Sequence, residues 1–205
     1  PVDQRFVIGG TPIYMADSRN ARSARGSHMP APDQHILSQA QFTQLFSWMQ
    51  AHTGRLHVVA TPAMLLPRRR VTASGTQGHQ HSDSWDGFPA SLYQLFDFMV
   101  TQQIQRTVFV SGDEHHSLFA RITVRRGGRE VHMVSVHSSA LYAPLPFANG
   151  HPDEFVANET FQLGDLHIDV STTFAPPGDG FVVLTPVVGG DGQAHALNVA
   201  FHKTG

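Results

Sequence analysis

A chain of 205 residues with 40% hydrophobic content is long enough to bury a core, and its lack of cysteine excludes disulfide scaffolds, thiolate metal sites and a cysteine nucleophile. The 14 basic and 16 acidic side chains leave a formal net charge of -2, which supplies no general attraction for duplex nucleic acid, so any phosphate recognition has to be local. Histidine is the outlier at 14 residues, and neutral imidazole is a common metal ligand.

No stretch approaches the roughly 20 apolar residues of a membrane-spanning helix, and the opening residues lack the charged-then-apolar pattern of a secretory leader. Pro1-Val2-Asp3-Gln4 leads within two residues into a strand and carries no initiator methionine, so it is expected not to be a native start. Residues 5–8 and 13–16 read as two short strands around Gly9-Gly10-Thr11-Pro12, and residues 20–35, polar and rich in Ser, Arg and Pro, read as loop. Ser38 and Gln41 form a capping box, with Leu37 and Phe42 as its hydrophobic staple. Phe42, Leu45, Phe46 and Met49 then repeat at helical spacing until Gly54. Residues 56–60 are a buried-type strand, followed by a loop holding Arg68-Arg69-Arg70 and Gly78-His79-Gln80-His81. A second helix is predicted over about 89–103, with Leu92, Leu95, Phe96 and Met99 inward, and residues 107–110 form the next strand. Strand, helix, strand in this order predicts a parallel βαβ unit.

From residue 118 onward the pattern is strands alone. Residues 118–124 and 131–136 make a hairpin across Arg126-Gly127-Gly128-Arg129, residues 166–170 another strand, and residues 181–188 and 194–201 a second hairpin across Gly189-Gly190-Asp191-Gly192. The predicted class is α/β, in two parts: residues 1–139, and a β-rich C-terminal portion over 140–205.

Ser111-Gly112-Asp113-Glu114-His115-His116-Ser117 directly follows an apolar strand, where open α/β sheets bind their ligands. If that segment is extended, Asp113 and His115 project to one side and Glu114 and His116 to the other. A carboxylate oxygen and an imidazole nitrogen on one edge suit Zn, Mn or Fe, while Ca prefers an all-oxygen shell. The competing reading is a polar loop of hydrogen-bonded histidines. In the loop before the second helix, His79, His81, Asp83 and Asp86 could bind a cation; alternatively Ser84 or Asp86 caps the helix while Trp85 packs over the core. Arg68 to Arg70 read as a solvated face rather than a phosphate-steering run. Asp17 and Arg19, at a strand end, read either as an ion pair or as a support that contacts phosphate. His132 and His137 flank a strand and read as structural, although His137-Ser138-Ser139 follows a strand end and could approach the cleft.

In order and spacing, Tyr14-Met15-Ala16-Asp17-Ser18-Arg19, Ile36-Leu37-Ser38-Gln39-Ala40-Gln41, Asp83-Ser84-Trp85-Asp86-Gly87-Phe88-Pro89 and Val110-Ser111-Gly112-Asp113-Glu114-His115-His116-Ser117 resemble the second half of PhoD-like phosphatases, across residues 6–117. The resemblance implies a calcineurin-like metallophosphatase: a four-layer α/β sandwich whose dinuclear site hydrolyses phosphomonoesters or phosphodiesters with metal-activated water. It places metal ligation on Asp113 and His115, with His116 as a third candidate that would donate to a phosphate oxygen or the leaving group. It makes Asp17, Arg19 and Asp86 supports of the cleft. The implied cofactors are two divalent or trivalent ions, Fe, Mn, Zn or Ca.

The family's remaining ligands come from an N-terminal half with an aspartate on its first strand, a Gly-Asp motif and an Asn-His or Asn-Asp motif, none of which occurs here. Glu114 also stands where a small or apolar residue is expected. The chain is therefore expected to be silent by itself and to pair with that half, or as a homodimer, through an exposed apolar sheet edge. A noncatalytic binding or structural module derived from the same fold is the alternative. A serine hydrolase would need a Gly-x-Ser-x-Gly elbow, which is missing. Periplasmic, secreted and cytoplasmic locations all fit.

Overall fold

In a computed structural model, the chain is described over residues 3–24, 34–70, 83–112, 116–141, 152–176 and 178–204. Its elements in chain order are β1 (Gln4–Ile8), β2 (Thr11–Met15), α1 (Gln39–Ala51), β3 (His57–Ala60), α2 (Pro89–Gln102), β4 (Thr107–Ser111), β5 (Leu118–Arg126), β6 (Arg129–His137), β7 (Asn158–Leu163), β8 (Leu166–Phe174), β9 (Gly180–Val188) and β10 (Ala194–Lys203), with single 3-10 turns at Trp85–Gly87 and Pro152–Glu154. The first eight strands form one sheet in the order β1-β2-β3-β4-β6-β5-β8-β7, and β9 and β10 pair as a separate ribbon. The class is mixed and dominated by sheet, with few helices.

Side-chain alternation decides the layers. Tyr14, Val59, Phe109, Ile122, Met133 and Ile168 lie on one face, where they pack with Phe42 and Leu45 of α1 and with Leu95, Phe96 and Met99 of α2. Parallel pairing of β2 with β3 and of β3 with β4 requires crossovers, and α1 and α2 supply them. The other face is divided. On β2, β3, β4 and β6 it is apolar, with Ile13, Val58, Val108, Val110, Val134 and Val136, and there Val182, Leu184, Leu197 and Val199 of the ribbon settle. On β5 beyond Phe119, and on β8, the same face is polar, and Arg125 bonds Glu130 and Asp169 across it. The ribbon thus covers the half of the face that water solvates poorly.

The turns follow from local chemistry. Gly9 and Gly10, at φ 52° and 70°, provide the left-handed pair of a two-residue hairpin between β1 and β2. Ser38 caps α1, its Oγ accepting from the Gln41 N–H at 3.3 Å. The reciprocal half of the predicted capping box is replaced: the Gln41 carboxamide pairs with the Asp17 N–H and C=O at 3.1 and 3.0 Å, tying α1 to the end of β2. No described helix is long and apolar enough to cross a membrane.

Candidate functional site

Beyond the ends of β2, β3, β4 and β6 the backbones continue in step, Ala16 N–H to Ala60 O at 2.8 Å, Thr61 N–H to Val110 O at 2.9 Å and Ser138 N–H to Ser111 O at 3.0 Å. One rim therefore carries Asp17, Thr61, Ser111, Gly112 and His137. A Cβ on Gly112 would lie 3.2 Å from the Ser138 carbonyl oxygen, so glycine lets the exits of β4 and β6 run side by side. Asp113, Glu114 and His115, which carry the predicted metal site, lie outside the described residues, as do His79 and His81. The positions that flank them are described.

His116 is 2% exposed. Its ring lies 4.7 Å from that of Phe155, 5.6 Å from that of His137 and 5.9 Å from that of Phe174, centroid to centroid. Behind it, Ser111 Oγ and His137 Nδ1 are 2.8 Å apart, and the two residues are register partners on β4 and β6. The Ser139 N–H donates to Ser117 Oγ at 2.9 Å, which fixes the exit of β6 against the entrance to β5. Sequence reasoning did not join Ser111 with His137; the signal is that both end apolar strands, but their pairing requires the sheet order. His132, exposed on β6, bonds Thr123 Oγ1 and Glu130 and is structural.

The loop after β2 is built on Asp17. Its Oδ1 accepts from the Arg19 and Asn20 N–H groups at 3.1 Å each, and its Oδ2 from the Asn20 amide at 2.7 Å. Asp17 and Arg19 are therefore joined through the backbone; the Arg19 guanidinium goes instead to Asp83, Nη1 to Oδ2 at 2.6 Å. Arg22 Nη1 reaches the other oxygen of Asp83 at 2.7 Å. Burial would raise the Asp83 pKa, but the hydrogen bonds and charges of Arg19 and Arg22 outweigh it and hold the carboxyl below its ordinary range.

Trp85 is fully buried, as its packing role predicts; its Nε1 donates to Thr61 Oγ1 at 3.3 Å, and Phe42 meets it edge-on at 6.3 Å. The predicted capping differs. Neither the 3-10 turn nor α2 has a side-chain cap, and α2 starts on Pro89, whose fixed φ suits a first helical turn. The buried Asp86 carboxylate instead accepts from the Arg69 N–H at 3.0 Å. The arginine run is not simply a solvated face either. Arg68 pairs with Glu159 at 2.7 Å and lies 3.8 Å over the Phe161 ring, and Arg69 pairs with Glu154 at 3.0 Å and lies over Phe155. Through Phe155, Arg69 backs the wall beside His116, while Arg68 ties the loop to β7 and Arg70 stays exposed.

Among the described residues no group of three or more His, Asp or Glu could hold a metal ion. A family model described as PhoD-like phosphatase matches residues 4–171. No curated protein matches the chain. A solved structure titled "Structure of PhoD" matches with a TM-score of 0.55 and 13% identity, covering 98% of this chain and 40% of that one. At this identity the likeness is one of fold, and the chain spans about two fifths of the length of the structure it matches.

Proposed function

Because the chain belongs to the PhoD-like phosphatase family, we propose that its rim is one side of the active site of a metal-dependent phosphoesterase acting on phosphomonoesters or phosphodiesters. The observation that carries the proposal is the common rim of β2, β3, β4 and β6, because ligands of such sheets gather at the carboxyl ends of parallel strands.

In this reading the Asp113 carboxylate and the His115 imidazole are metal ligands, a donor set that fits Fe, Mn or Zn and, with further oxygens, Ca. Two such ions supply neutralisation of the phosphoryl oxygens and a water acidic enough to ionise near neutral pH. The chain's own residues do the rest. His116 donates a proton to a phosphate oxygen or the leaving group, with His137 and Ser111 setting the wall at its back. Arg19 contacts anionic substrate. Asp86 is a positioning residue, acting through the Arg69 backbone.

In a four-layer sandwich of this kind α1 and α2 form one layer, the eight-stranded sheet a second, and β9 and β10 the start of a third. Phe181, Val183 and Val187 on the outward face of the ribbon are between 37% and 44% exposed, an apolar surface that suits further cover. The cover is the N-terminal half of the domain or a second copy of the chain. In this reading residues 1–139 and the β-rich portion over 140–205 share one sheet, the latter adding β7 and β8 beside β5 and the ribbon on the other face.

The test is turnover of a chromogenic phosphomonoester and phosphodiester with Mn, Fe, Zn or Ca, by the 205-residue chain and by a longer protein that includes upstream sequence. The longer protein is expected to be active and the chain silent, because two or three ligands cannot hold two cations. Asp113→Asn should abolish activity. Full metal content and full turnover in Asp113→Asn would remove Asp113 from the site, and no turnover with any metal would overturn the phosphoesterase reading.

A further inference from the structure

On the same rim, outside the segment proposed to bind metal, one carboxylate holds two guanidinium groups. Arg19 takes Oδ2 of Asp83 and Arg22 takes Oδ1, and Arg22 also donates to the Asp83 carbonyl at 3.2 Å. The Asp83 side chain is 51% exposed, and a cavity of about 310 Å³ opens beside the three groups, lined also by Ser23 and Ala24. That volume sits at the low end of ligand pockets, so it suits one small charged group rather than a whole substrate.

The parts are fixed in place by the fold. Asp17 closes the turn that presents Arg19, the Arg22 guanidinium rests 5.9 Å from the buried Phe88 ring, and Asp83 lies two residues before the buried Trp85. The three side chains together carry one excess positive charge. Ion pairs this exposed contribute little and exchange with solvent ions. A phosphate offers more charge and more acceptor oxygens to two guanidinium groups than one carboxylate does.

We infer that Arg19 and Arg22 form an anion clamp in which Asp83 stands in for a ligand, and that the clamp selects phosphoesters carrying a second anionic group. The second group would bind near the end of β2, two strand spacings or roughly 10 Å from the end of β4, where the reacting phosphate is placed. The inference rests on the phosphoesterase reading, which supplies that reacting phosphate.

Inorganic pyrophosphate titrated calorimetrically into the 205-residue chain in EDTA reads the clamp without metal or turnover. Arg22→Ala is expected to weaken binding at least tenfold, and Asp83→Asn, which removes the competing charge, to tighten it several-fold. A gain cannot arise from misfolding, so the second variant guards the first. Unchanged affinity in Arg22→Ala, or weaker binding in Asp83→Asn, overturns the clamp whatever the chain hydrolyses. A free phosphate product shares the chemistry of a substrate phosphate, and kinetics of the longer protein separate the two. If the clamp holds substrate, Arg22→Ala lowers kcat/KM for an ester with a second phosphate more than for p-nitrophenyl phosphate. Equal effects on both, with weaker inhibition by phosphate, overturn the substrate assignment.

Discussion

His57 is fully buried at the start of β3, with Nδ1 2.9 Å from the Arg55 carbonyl oxygen, Nε2 2.9 Å from Thr107 Oγ1 and the Trp48 ring edge-on at 5.5 Å. Burial lowers its pKa from 6.5 to about 4, more than the Arg55 carbonyl can restore, and His52 pushes it further the same way. The folded state therefore keeps the neutral imidazole, while the unfolded chain takes up a proton as pH falls through 6.5. The contribution is complete above that pH and is lost between it and about 4, on the order of 3 kcal/mol from the size of the shift. His57→Gln, with nothing to titrate, should show a shallower fall of the urea midpoint across this window; an equal fall in both proteins would reject the assignment. The placement of His57 was not legible in the sequence, because a histidine opening an apolar strand reads alike whether its partners are water or Thr107. Trp85 was legible: a large aromatic among turn residues just before a helix has little choice but the core.

At the scale of elements, helical spacing and strand-and-turn signals placed α1, α2, the hairpin of β5 with β6 and the ribbon close to where they stand, since each is specified by residues near in sequence. β7 escaped. Its Asn158-Glu159-Thr160-Phe161-Gln162-Leu163 is half polar, and it becomes a strand by pairing with β8 at the sheet edge and by the Arg68 contacts to Glu159 and Phe161. The turn at Trp85–Gly87 is where the local cues misled. Its capping residue types suggested a helix cap, but Asp86 is committed to the Arg69 N–H, and the start of α2 is set by Pro89 and by Trp85 packing against Phe42 and Thr61. Trp85→Ala should therefore destabilise the chain by roughly 3–5 kcal/mol in urea unfolding and erase much of the near-UV dichroism. A loss below about 1 kcal/mol would mean that Pro89 suffices.

For the whole molecule, the two faces of the sheet set the expectation for assembly. Exposed Phe6, Val7 and Ile8 on β1 and Val183 and Val187 on the ribbon leave apolar surface in water. The chain alone should self-associate in sedimentation velocity, and Val183→Lys should shift it toward monomer without lowering its melting temperature. A monomer at tens of micromolar would argue that this surface needs no partner.

The sequence by itself determined the periodic elements, the order that makes β3, α2 and β4 a parallel unit, and the strand-end position of Ser111 and Gly112, because these depend on nearest neighbours and on side-chain period. Only the tertiary structure decided that β6 lies beside β4, so that His137 meets Ser111, and that Asp83 joins Arg19 and Arg22 across more than 60 residues. It likewise decided that the ribbon covers only the apolar half of its face. Such pairings are chosen by which surfaces remain to be buried once the local elements exist, and no window of sequence contains that information.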